Sequence, residues 1–263
     1  MAQPPDRNPA DPWLHLAATT PARIALGRAG GSLPTREVLR FALAHAQARD
    51  AVHADFDSAK LAEMLRDEGL VVAEAASRAA DRAAYLRRPD WGRDLSEASR
   101  TALTMDGAGG ELVVVVADGL SATAVEAHAV PLVRALRPHL DRARIPLTTA
   151  VVATGARVAL GDAIGQALGA RAVLVLIGER PGLSSPDSLG AYLTFDPRPG
   201  RMDSERNCVS NIRPEGLPVA AAAFKLAWLT SEAFRRRLTG VALKDESAAL
   251  RTESENTALP LHG

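Results

Sequence analysis

Three short and almost wholly apolar runs constrain this chain more than anything else in it: Glu111 to Ala117 (ELVVVVA), residues 145–153 (IPLTTAVVA) and Arg171 to Ile177 (RAVLVLI). Each has the length of a strand and is rich in β-branched or aliphatic residues. The first and third read as strands buried on both faces of a parallel sheet. Stretches of helical composition separate the runs. Asp118-Gly119-Leu120-Ser121 follows the first and opens an Ala/Leu/Val helix reaching about Leu136; Arg157 to Asp162 follows the second and leads into a helix stopped by Leu168-Gly169. The order β-α-β-α-β predicts a parallel sheet with right-handed crossovers. Ser121 is expected to cap its helix, and a helix N-terminus also suits an anionic or hydrogen-bonding ligand.

The third run stops abruptly on Gly178-Glu179-Arg180-Pro181-Gly182-Leu183. In open α/β sheets ligands sit beyond the carboxyl ends of the strands, which makes Glu179 the first candidate binding residue. The same Glu-Arg pair also suits a solvated loop entry or a local salt bridge. Cys208, the only cysteine, lies in Asn207-Cys208-Val209-Ser210-Asn211. A lone cysteine is ordinarily a small buried hydrophobe, and reactivity would require an electropositive, partly open setting. Ser185-Pro186-Asp187 is expected to start a short helix. Tyr192 to Phe195 and Cys208 to Ile212 read as further short strands, and Pro218 to Leu238 as a long helix covering one sheet face.

The N-terminal part reads differently. Residues 1–12 are Pro-rich and polar, as in a flexible tail, and Trp13, Leu14 and Leu16 are expected to dock on the core. The Gly cluster within residues 19–33 lacks the Gly-Lys-Ser/Thr ending of a phosphate loop. Pro34 and Thr35 open a helix in which Val38, Leu39, Ala42, Leu43 and Ala46 recur at helical spacing. Ser58 to Arg88 is Ala-rich and predicts two helices rather than strands; residues 93–105 add another. The expected organisation is a tail at 1–12, a helical N-terminal region at 13–105, a Rossmann-like, mostly parallel sheet domain with flanking helices at 106–240, and a polar C-terminal tail at 241–263. The fold class is α/β.

Charge and composition exclude several functions. With 31 basic and 31 acidic residues there is no electrostatic footprint for nucleic acid or an anionic membrane. One cysteine excludes an intramolecular disulfide and a Cys-based metal cluster. No apolar run approaches a membrane span and the start lacks a signal-peptide core, so the expected location is the cytoplasm. Gly119 to Thr123 lacks the second Gly of a nucleophile elbow, and His128 and His139 lack the spacing and context of a metal pair. No paired carboxylates or triad stand out. Two classes remain open on the residues alone: a free-standing nucleotide-binding enzyme built on Asp118-Gly119, and a purely structural subunit.

Several stretches are more distinctive. Thr20 to Gly30 (TPARIALGRAG), Leu43 to His53 (LAHAQARDAVH) and Tyr85 to Asp90 (YLRRPD) resemble the small (light) subunit of ethanolamine ammonia-lyase. So do Ala117 to Val125 (ADGLSATAV), Gly178 to Leu183 (GERPGL) and Cys208 to Asn211 (CVSN). The resemblance spans roughly residues 12–240. It implies a subunit of an adenosylcobalamin-dependent lyase that converts ethanolamine to acetaldehyde and ammonia, with cobalt carried by the cofactor. The implied partner is a TIM-barrel large subunit that holds the substrate, in a hetero-oligomer located in the cytoplasm or inside a bacterial microcompartment. Carried over singly, the family's cofactor contacts fall on Val158, Glu179 and Cys208, none of them catalytic. The resemblance and the absent Asp-x-His-x-x-Gly signature imply that the cofactor's own benzimidazole remains the lower cobalt ligand. A subunit that covers part of a cofactor is also expected to expose an apolar surface toward its partner.

Overall fold

The computed structural model describes residues 13–106 and 109–248. The tail expected at 1–12, residues 107 and 108 of the glycine boundary, and most of the polar C-terminal tail lie outside the described residues. The elements in chain order are α1 (Leu14–Ala17), α2 (Thr35–His53), α3 (Ser58–Asp67), β1 (Val71–Ala76), α4 (Arg82–Arg87), α5 (Glu97–Asp106), β2 (Leu112–Ala117), α6 (Ala122–Arg142), β3 (Leu147–Thr154), α7 (Leu160–Leu168), β4 (Ala172–Gly178), β5 (Leu189–Phe195), β6 (Asn207–Ile212) and α8 (Val219–Arg236).

The strands form one six-stranded sheet in the order β1-β3-β2-β4-β5-β6. β1, β3, β2 and β4 run parallel; β5 and β6 are joined on in antiparallel fashion. The fold is therefore α/β with a mostly parallel sheet, as the apolar runs require. Each central strand feeds two cores. Leu112, Val114 and Val116 of β2 with Leu174 and Leu176 of β4 meet α3, α6 and α8 on one face. Val113, Val115, Ala117, Val173, Val175 and Ile177 meet α5 and α7 on the other. Burying such a side chain contributes about 1.5–3 kcal/mol, which is why β2 and β4 show no polar alternation.

Four expectations need correction. The stretch from Ser58 to Arg88 is not two helices alone, because Val71–Ala76 forms strand β1 between them. Its sequence, VVAEAA, has helical composition, but backbone pairing with β3 at the sheet edge overrides that weak preference. The sheet thus draws a strand from before the glycine boundary. α6 runs to Arg142 rather than Leu136 and contains Pro131 and Pro138. An interior proline costs about 3 kcal/mol. Burial of Val130, Leu132, Val133, Leu136 and Leu140 along the same helix offsets it. Ser185-Pro186-Asp187 is not helical: Ser185 bridges back to Gly182, and Pro186 and Asp187 form the turn that follows. Of the three residues expected to dock, Trp13 is 59% exposed, while Leu14 and Leu16 are half-buried.

α2 is a helix as its spacing predicts, yet it buries only Glu37, Ala44 and Ala51. Val38, Leu39, Phe41 and Leu43 stand exposed on it, with Leu33 just before. Among the described residues no helix is long and apolar enough to cross a membrane.

Candidate binding face at the end of the central strands

The motifs singled out in the sequence converge where β2 and β4 end. Gly119, at φ +56°, lies so close to Gly178 that a Cβ there would fall 2.3 Å from the Gly178 carbonyl oxygen. Only glycine permits this approach. Leu120 N–H then donates to that oxygen at 2.9 Å. Ser121 caps α6 through Ala124 N–H, and its hydroxyl also donates to Pro186 O at 2.9 Å. The cap thus fixes the loop that follows Glu179.

The loops after β2 and β3 leave toward opposite faces of the sheet, since α6 lies in one core and α7 in the other. Between them sits Asp118, whose carboxylate accepts from the N–H groups of Gly119, Gly155 and Ala156 at 2.9–3.0 Å, with Arg82 Nη1 3.6 Å away. Burial pushes its carboxyl above the usual range, against these bonds. The acceptors of Asp118 are thus engaged within the fold.

Glu179 follows β4 directly. Its Oε2 accepts from the Ser188 hydroxyl and from Asn211 N–H at 3.2 Å, and its own N–H donates to Ser188 O at 3.0 Å. Both side-chain bonds end on one oxygen, leaving Oε1 directed elsewhere. Oε1 and the Tyr192 ring flank Gly190: a Cβ on that glycine would lie 3.0 Å from each. The loop beyond Glu179 is held by Arg213, which donates to Ser184 O at 2.6 Å and pairs with Asp187, itself 3.7 Å from the buried His128.

Cys208 pairs in register with Tyr192, which pairs with Val175, so the three side chains share one face. Val175 and Tyr192 belong to the α5/α7 core, and so does Val158 in the turn before α7. Cys208 is exposed, not a buried hydrophobe. Its thiol is nonetheless pushed up, chiefly by desolvation against its neighbours and further by the Glu179 charge, while the hydrogen bond with Tyr192 opposes this. Cys208 is therefore a neutral thiol rather than a nucleophile. Glu179, Val158 and Cys208, far apart in sequence, all lie toward this face.

Sequence reasoning missed the residues that build it. Asp162, four residues after Val158, pairs with Arg206, two before Cys208, at 2.6 Å, with both side chains almost wholly buried. Val209 and Ile212 both enter the α6/α8 core, although strict alternation would put them on opposite faces. The extra residue makes a bulge opposite Gly190, with Asn211 at φ +56°. The broken alternation in Val209-Ser210-Asn211-Ile212 was its only sequence signal. Among the described residues no group of three or more His, Cys, Asp or Glu side chains could hold a metal ion.

Residues 10–244 match the family model described as ethanolamine ammonia-lyase light chain. The chain is 59% identical over 255 residues to the ethanolamine ammonia-lyase small subunit of Bradyrhizobium diazoefficiens, covering 96% of this chain and 97% of that one. It is 54% identical to the protein of the same name from Xanthomonas campestris pv. campestris, over 97% of this chain and 96% of the relative. The Azotobacter vinelandii small subunit is 54% identical over 94% of both chains.

Proposed function

The chain belongs to the ethanolamine ammonia-lyase light chain family, and from that premise we propose that it is the small subunit of an ethanolamine ammonia-lyase that grips adenosylcobalamin against the large, catalytic subunit. The observation that carries this reading is the Glu179 carboxylate, held on one oxygen by Ser188 and Asn211 and presenting the other beside Tyr192 and Cys208.

The face suits the cofactor in its chemistry. Val158 offers apolar contact, Glu179 accepts hydrogen bonds, Cys208 is neutral and small, and Gly190 leaves the space that a Cβ would fill. When bound, adenosylcobalamin supplies the radical chemistry of the reaction. This chain's residues bind and orient; ethanolamine is held mainly by the large subunit. The apolar residues exposed on α2 support a chain that works against a partner. The same reading puts the hetero-oligomer in the cytoplasm or inside a bacterial microcompartment.

The test is acetaldehyde release from ethanolamine with adenosylcobalamin, for the large subunit alone and co-purified with this chain. Activity is expected only with both, and Glu179→Ala is expected to act mainly through weaker cofactor binding. A large subunit that is equally active alone would overturn the proposal.

A further inference from the structure

Resting on the cobalamin reading, we propose that Tyr192 is a further binding residue: together with Glu179 it forms a donor and acceptor pair that holds one primary carboxamide at the edge of the corrin ring.

The corrin periphery carries primary carboxamides. Each presents N–H donors and a carbonyl acceptor in one plane. A carboxylate satisfies only the N–H half, and a carbonyl stripped of water beside it would lack a donor. Val158 has no polar side chain and Cys208 is a weak donor. Tyr192 supplies the missing group. Its ring is half-buried in the α5/α7 core, so the phenol is fixed before any ligand arrives. The ring edge and Glu179 Oε1 face one another across Gly190, each 3.0 Å from where a Cβ would stand.

The hydrogen bonds leave the pair available. Glu179 takes its bonds from Ser188 and Asn211, not from the phenol. The phenol O–H donates to the Cys208 thiol, a weak acceptor that an amide carbonyl readily replaces. Desolvation first, then Cys208 and Glu179, push the phenol well above its ordinary pKa, so it stays a donor at neutral pH. The bulge at Ser210 and Asn211 stands opposite Gly190, and Asn211 N–H is the group that turns Glu179 Oε2 away from the pair.

The experiment is adenosylcobalamin binding by the complex of this chain with its large subunit, followed by equilibrium dialysis and visible absorption without turnover. Tyr192→Phe keeps the ring in place and is expected to raise Kd about tenfold. Glu179→Ala is expected to weaken binding at least as much. The double variant should fall well short of the product of the two losses, because each single change already strands the same amide. Among the separated cobalamin monocarboxylates, one isomer should lose affinity for the wild type far more than the others, as its new carboxylate meets Glu179. Weakened binding in Glu179→Ala with Tyr192→Phe unchanged within about twofold overturns the pairing alone. Multiplying losses in the double variant would also overturn it. A wild-type complex that takes up no cobalamin overturns the cofactor reading and the pairing together.

Discussion

Arg206→Met tests how the binding face is held together. Arg206 Nη2 lies 2.6 Å from Asp162 Oδ2, with side-chain exposures of 2% and 3%. This pair ties the start of β6, and hence Cys208, to the first turn of α7, just after Val158. Arg206 also donates to Met202 O and Arg201 O at 3.1 and 2.9 Å, so its loss loosens the whole connection between β5 and β6. Removing one partner of a buried pair strands the other charge and costs about 3–5 kcal/mol. For a chain of this length that lowers Tm by roughly 5–10 °C. The loss should depend on pH. Burial raises the Asp162 carboxyl to about 6 even beside Arg206, from an ordinary 3.8. The folded state therefore binds a proton more readily than the unfolded one, and this group's contribution to stability falls as pH rises from about 4 through about 6. The total is on the order of 3 kcal/mol. Without Arg206 the same carboxyl should titrate still higher, so Arg206→Met should cost more at pH 8 than at pH 5. Paired replacement by Asp162→Leu and Arg206→Met should recover most of the loss, since an apolar pair needs no desolvation of charge. Thermal and urea unfolding of the full chain at pH 5 and 8 measures all three. A single-variant cost below about 1 kcal/mol at pH 8, the value of a solvated pair, would refute the reasoning.

Further outcomes follow from individual contacts. Ser188→Ala removes the hydroxyl that donates to Glu179 Oε2; a charge-assisted bond of this kind contributes about 1.5–3 kcal/mol, so cobalamin affinity of the complex should fall measurably in a dialysis assay. Gly119→Ala places a Cβ 2.3 Å from Gly178 O at φ +56°, and little folded protein is expected on expression, judged by soluble yield and circular dichroism. Asp118→Asn cannot accept all three backbone N–H groups that now meet the carboxylate; a stability loss of about 2–3 kcal/mol is expected in urea unfolding. Tyr85→Phe removes the buried hydroxyl that donates to Ala156 O at 3.1 Å and should cost about 1–2 kcal/mol by the same assay, with cobalamin binding intact.

The strands β2 and β4 were legible because burial on both faces leaves a continuous apolar run, and β3 through its shorter apolar stretch from Ala150 to Ala153, each a signal local to a few residues. The cap at Ser121, the stop at Gly169 and the place of Glu179 just beyond β4 were legible for the same reason: each depends on a few neighbours in the chain. Glu179 was reached from its place after a buried strand, whereas Val158 and the binding role of Cys208 were reached only through motifs shared with a family. β1 was not legible, because VVAEAA has no decisive pattern and only pairing with β3 makes it a strand. The environment of Glu179 was not legible either. Ser188, Gly190, Tyr192 and Asn211 meet there through an antiparallel hairpin and a bulge, and hydrogen bonds across them leave no periodic trace in sequence. The chain's own order thus determined that a parallel sheet forms and where its strands end. Tertiary pairing alone decided which side chains stand together beyond those ends, because that depends on register between segments and on which buried groups find partners.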